Sequence, residues 1–125
     1  MIERTMSDTK LACGCLCGSV RIAMSGAPYR VGICHCLDCR KRQGGLFHAS
    51  ATFPIDAVTI SGACGSVLFG RFGDEIGVNL GCLDAPNQLR PTYELWVIRR
   101  EDWLPPFDVA RRYQRDREGK GRSEP

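Results

Sequence analysis

The chain has 125 residues, 43% hydrophobic and 25% charged, a composition that fits one globular domain with a modest core and argues against disorder. No apolar run approaches the ~20 residues of a membrane span. Residues 1–10 lack the apolar core of a secretory signal, so a cytoplasmic, reducing setting is expected and no membrane partner. The net charge of +3 comes from residues 111–125, where Arg111, Arg112, Arg115, Arg117, Lys120 and Arg122 outnumber Asp116, Glu118 and Glu124. The remaining body is neutral, which makes nucleic acid a poor candidate partner, and the tail reads as a solvated end.

Eight cysteines in a chain expected to stay reduced point to metal binding before disulfides. Residues 1–10 form a polar lead-in. From 11 to 24 apolar residues alternate as in one strand, with Val20, Ile22 and Met24 on one side and Cys13, Cys15, Cys17 and Arg21 on the other. Gly14 and Gly18 would bend it. Cys15 and Cys17 make half of a metal site. Residues 25–28 are a turn, and a strand over 29–33 leads into Cys34-His35-Cys36-Leu37-Asp38-Cys39.

Three thiols within that loop can converge on one soft ion. Four-coordinate Zn²⁺ is the usual occupant, and three protein sulfurs leave one position for water or substrate. Residues 40–43 read as a helical turn stopped by Gly44-Gly45. Strands are expected over 46–53, 57–60, 67–69, 76–80 and 93–98, and a helical turn over 99–104. The result is a small, mainly β domain with long loops and only short helical turns. Its thin core favours support from metal.

Asp38 is expected to cap the 40–43 turn. His35 reads as a spacer or as an outer partner of the thiols, and His48 as a packed strand residue, with pocket lining as the alternative. Cys82 reads as a small buried apolar residue. Trp96 and Trp103 are assigned to the core.

The blocks Cys15-Leu16-Cys17-Gly18-Ser19-Val20-Arg21, Cys34-His35-Cys36-Leu37-Asp38-Cys39-Arg40-Lys41 and Gly44-Gly45-Leu46-Phe47 resemble the glutathione-dependent formaldehyde-activating enzyme family, which includes centromere protein V. Cys64-Gly65-Ser66-Val67-Leu68-Phe69, Gly81-Cys82-Leu83-Asp84 and Glu94-Leu95-Trp96-Val97 fit its later blocks. The resemblance implies a Mss4-like, zinc-bound β-sheet domain over 11–107, with 1–10 and 108–125 as flexible termini. It implies a structural zinc on Cys15, Cys17 and Cys64, and a catalytic-type zinc on Cys34, Cys36 and Cys39.

The implied activity is that of a carbon–sulfur lyase acting on an aldehyde adduct of glutathione or another small thiol. A non-catalytic zinc-binding interaction module and a thiol redox protein are the alternatives. Arg40, Lys41 and Arg42 read as a solvated basic turn, or as cations that attract glutathione carboxylates. The chain departs from the pattern at Ser61, which stands where the fourth structural cysteine is expected, three residues before Cys64. Either the chain is shortened there or a loop bearing that cysteine is missing, and the second reading is preferred. Cys13 is the weaker substitute for that ligand.

Overall fold

Apolar residues two apart along short strands dictate two sheets whose inner faces share one core. The computed structural model describes residues 10–118 and 121–124; residues 1–9 of the lead-in and Lys120 of the basic tail lie outside the described residues. The smaller sheet has the order β1 (Lys10–Gly14), β2 (Arg21–Ser25), β5 (Val58–Ser61), all antiparallel. The larger runs β6 (Phe69–Phe72), β7 (Glu75–Asn79), β4 (His48–Pro54), β3 (Arg30–Cys34), β8 (Tyr93–Leu95), β9 (Arg111–Arg112). β3 pairs antiparallel with β4 and parallel with β8. Leu11, Cys13, Ile22 and Met24 from the first sheet meet Val31, Phe53, Ile76 and Val78 from the second. Each fully buried side chain of this kind contributes about 1.5–3 kcal/mol.

The mainly β expectation holds, and several local expectations need correction. Residues 11–24 are two strands, because Cys15 and Val20 close a hairpin. Gly18 donates its N–H to the Cys15 carbonyl at 3.1 Å and takes φ +81°, which glycine alone tolerates freely. Cys13 pairs directly with Ile22 across β1 and β2 and therefore shares its buried face, opposite to the expectation.

The helical turn extends to seven residues as α1 (Leu37–Gln43). Its cap is Cys36, not Asp38: the Cys36 sulfur accepts the Cys39 N–H at 3.2 Å. Gly44, at φ 80°, ends the helix by donating to the Arg40 carbonyl at 2.7 Å. The strand expected at 67–69 is displaced to β6, where pairing of Phe69 with Val78 and Phe72 with Glu75 sets the register. β8 stops at Leu95 because Trp96 enters the left-handed region, and a 3₁₀ turn follows at Val97–Arg99. Residues 99–104 form no helix beyond it, and Trp103 is 67% exposed rather than in the core.

The C-terminal segment expected to be a solvated end lies against the larger sheet. β9 adds beside β8, and Glu124 is buried. Its carboxylate accepts from the Tyr113 hydroxyl at 2.5 Å, and from Arg117 and Arg111 at 3.3 and 3.4 Å. Arg122 bonds Asp74 at 2.5 Å and the Tyr29 hydroxyl at 2.9 Å.

Burial pushes the Glu124 carboxyl up, but Tyr113, Arg117 and Arg111 outweigh burial and hold it below its ordinary value. A carboxyl depressed by folding contributes its full stabilisation above the unfolded pKa of about 4.3 and loses it as the pH falls through the folded value. Acid titration is therefore expected to release this segment first. The Ala110 and Tyr113 amides, which bond the Thr92 and Glu94 carbonyls, should move toward random-coil NMR shifts below about pH 4 while β3 and β4 hold. Simultaneous loss of both sets would refute the prediction.

Candidate metal centre

β3 ends at Cys34, whose backbone is fixed on one side by His48 of β4 and on the other by Leu95 of β8. Cys36 caps α1 and Cys39 lies in its first turn. Sheet and helix thereby bring three half-buried sulfurs, Cys34, Cys36 and Cys39, within 4.8 Å of one another. Zinc–sulfur bonds of about 2.3 Å in a tetrahedron place sulfurs about 3.8 Å apart, so the three fit a single ion. No fourth His, Cys, Asp or Glu joins them among the described residues.

The charge in this cluster is unevenly held. Hydrogen bonds from Cys34 and then His48 pull the Cys39 thiol down to about 4, whereas the bond to Cys39 and burial push Cys34 up. The contact with Cys39 in turn raises His48. His48 Nε2 lies 2.5 Å from Asn79 Oδ1, and Asn79 Nδ2 donates to the Val67 carbonyl at 2.7 Å. The amide oxygen can only accept, so Nε2 carries a hydrogen. Cys39, Arg42, His48, Ser50, Phe69 and Asn79 line a cavity at this point. His48 is thus half-buried pocket lining as well as a strand residue.

Of the three cations after Cys39, Arg40 is engaged by Glu101 and the Arg99 carbonyl. Arg42 lines the cavity and makes no ion pair among the described residues. Lys41 is exposed.

Cys15, Cys17 and Cys64 form the second group, also within 4.8 Å of one another, with Cys15 and Cys17 sulfurs 3.3 Å apart. Cys15 accepts the Val20 N–H at 3.1 Å and Cys64 the Ser66 N–H at 3.3 Å. Such backbone donors stabilise thiolate charge. The approach of the Cys64 loop to the Cys15–Val20 turn depends on Gly62, at φ +84°, where a Cβ would stand 1.7 Å from the Ser19 carbonyl oxygen. Cys15 is buried, but Cys17 and Cys64 are exposed. No fourth His, Cys, Asp or Glu joins them among the described residues: Cys13 lies against Cys82, and Ser61 closes β5 opposite Arg21. Both groups have the donor chemistry and spacing to hold a metal ion such as zinc.

One residue at the site, Glu94, is not singled out by the sequence. His35, wholly buried between the Cys34 and Cys36 ligand positions, bonds Glu94 Oε2 through Nε2 at 2.9 Å. Its ring lies 6.1 and 6.3 Å from those of Phe47 and Phe107. Glu94 Oε1 accepts the Phe107 N–H at 3.0 Å. The available signal was a lone carboxylate in the apolar run that became β8, at the register position paired with Ile33.

No helix among the described residues is long and apolar enough to cross a membrane. Among curated proteins, none matches the chain. Residues 10–67 match the family model described as glutathione-dependent formaldehyde-activating enzyme. The match spans both cysteine groups and ends before β6, short of the later blocks at Cys82 and Glu94. Over residues 10–67, just under half of its length, the chain is similar to the glutathione-dependent formaldehyde-activating enzyme family.

Proposed function

We propose that the protein is a zinc-dependent enzyme of the carbon–sulfur lyase type, acting on the adduct of an aldehyde with glutathione or another small thiol. The observation that supports this most is the group Cys34, Cys36 and Cys39: three convergent sulfurs, no fourth protein ligand among the described residues, and an adjoining cavity. Zinc held there supplies acidification of a thiol and charge stabilisation at a carbonyl. Cys15, Cys17 and Cys64 would hold a second, structural ion that ties the Cys64 loop to the first hairpin.

In the forward reaction a sulfur–carbon bond forms, the carbonyl becomes an alcohol, and the thiol proton ends on its oxygen. The reverse breaks the same bond and returns the aldehyde and thiol. Arg42 supplies positive charge at the cavity rim to draw substrate carboxylates. Ser50 and Asn79 offer hydrogen bonds, and Phe69 an apolar wall. His48, held by Asn79 and in contact with Cys39, lines the cavity and would hold positive charge beside the reacting thiol.

The test is exchange NMR on equilibrated glutathione and formaldehyde with the metal-loaded protein. Faster interconversion of free and thiol-bound formaldehyde is expected. Arg42→Ala should raise the glutathione concentration for half-maximal exchange about tenfold, the size of one charge-assisted contact. Unchanged exchange with intact metal would exclude this substrate pair and favour the non-catalytic module.

A further inference from the structure

Outside both metal groups, the sulfurs of Cys13 and Cys82 lie 2.7 Å apart, closer than the Cys15–Cys17 pair at 3.3 Å. Neither belongs to either metal group. The juxtaposition is imposed by the backbone. Cys13 and Leu83 form an antiparallel bridge, and the Asp84 N–H donates to the Ala12 carbonyl at 3.0 Å. Arg21 grips the Asp84 carboxylate with two bonds, of 3.0 and 2.5 Å, so the turn carrying Cys82 is clamped onto the first hairpin. Two thiols held this way need only a small side-chain adjustment to bond.

The pair is also asymmetric in access. Cys13 is fully buried, whereas Cys82 is half-buried and lines a cleft with Cys15, Gln43 and Asn79. An oxidant entering the cleft meets Cys82, and Cys13 waits behind it. This is the arrangement of an attacked thiol and a resolving thiol.

We infer that Cys13 and Cys82 are the site of a reversible intramolecular disulfide, formed by peroxides and opened by small thiols. The Cys82 thiolate attacks a peroxide oxygen and the O–O bond breaks; with hydrogen peroxide this gives a sulfenic acid and a hydroxide, which takes up the proton the Cys82 thiol released and becomes one water. The Cys13 sulfur then attacks the Cys82 sulfur. The S–S bond forms, the hydroxyl leaves with the Cys13 proton as a second water, and two thiols have given two electrons to the peroxide. Two molecules of a small thiol return those electrons, leave as their own disulfide and restore Cys13 and Cys82. The bond would close a loop between positions 69 residues apart and raise the melting midpoint by about 10 °C. The assignment is independent of the enzymatic reading, because it requires neither metal nor turnover.

The experiment treats the full, metal-loaded chain with about two equivalents of hydrogen peroxide, alkylates it and maps its peptides by mass spectrometry. The expected result is a linked pair whose fragmentation places the bond between Cys13 and Cys82. Metal content should be unchanged, and dithiothreitol should reverse the link. In Cys13→Ser the sulfenic acid has no resolving partner, so dimedone should label Cys82. Linkage of Cys82 to Cys15, bonds confined to the two metal groups, or Cys82 recovered as a free thiol would each overturn the assignment. The wild-type map gives this answer even if Cys13→Ser does not fold.

Discussion

Serine in place of Cys36 is expected to lower bound metal by one equivalent per chain and abolish aldehyde–thiol exchange, while leaving α1 intact. Cys36 has two duties that serine separates. Its sulfur is one of three at the open group, and the same sulfur accepts the Cys39 N–H as the helix cap. A serine hydroxyl is a favoured cap but a poor ligand beside thiolates. The helix should therefore persist while metal affinity falls about 100-fold or more, since each thiolate carries several kcal/mol of the binding free energy. Alanine would lose the cap as well, at a further cost of about 1 kcal/mol. Metal analysis after gel filtration, with circular dichroism on the same samples, gives the readout. Undiminished metal in Cys36→Ser would remove Cys36 from the ligand set.

This site was legible in the sequence because it is local. Cys34, Cys36 and Cys39 sit on a strand end and the first turn of a helix, and their spacing alone brings them together. The Cys15, Cys17 and Cys64 group joins two distant loops, so no spacing rule announces it; the family resemblance did, and the proximity of their sulfurs agrees. Alternation gives the wrong face for Cys13 because it runs through residues that form a turn. Once the hairpin closes at Cys15 and Val20, parity along one strand says nothing about the other, and cross-strand pairing with Ile22 decides. The packing of the tail is hidden for a related reason. Its charges resemble a solvated run, yet Glu124 finds Tyr113, Arg117 and Arg111 as partners only when the chain folds back.

Glu94 shows the same limit at the site itself, and its removal should be the most damaging single change to the scaffold. The carboxylate is wholly buried, accepts from the His35 ring and the Phe107 N–H, and lies 3.5 Å from Arg112 Nε. Glu94→Ala would strand both donors without water and leave a void, at an expected cost of about 3–5 kcal/mol. For a domain of this size that is a fall in melting midpoint of about 10–20 °C. The damage should reach the metal, because His35 sits between Cys34 and Cys36 and its ring position sets theirs. Affinity at that group is expected to drop about tenfold, as for other outer partners of ligands. Glu94→Gln retains the shape and an acceptor for the Phe107 N–H. The imidazole can meet the amide NH₂ by accepting at Nε2 in its other tautomer, which moves the hydrogen to the buried, unpartnered Nδ1 and costs part of what the shape retains. That variant should lose at most about half as much stability. Thermal melts of both variants, with chelator competition for zinc, separate the two effects. An alanine variant that melts within about 3 °C of wild type would show that the His35–Glu94 bond does not hold the loop.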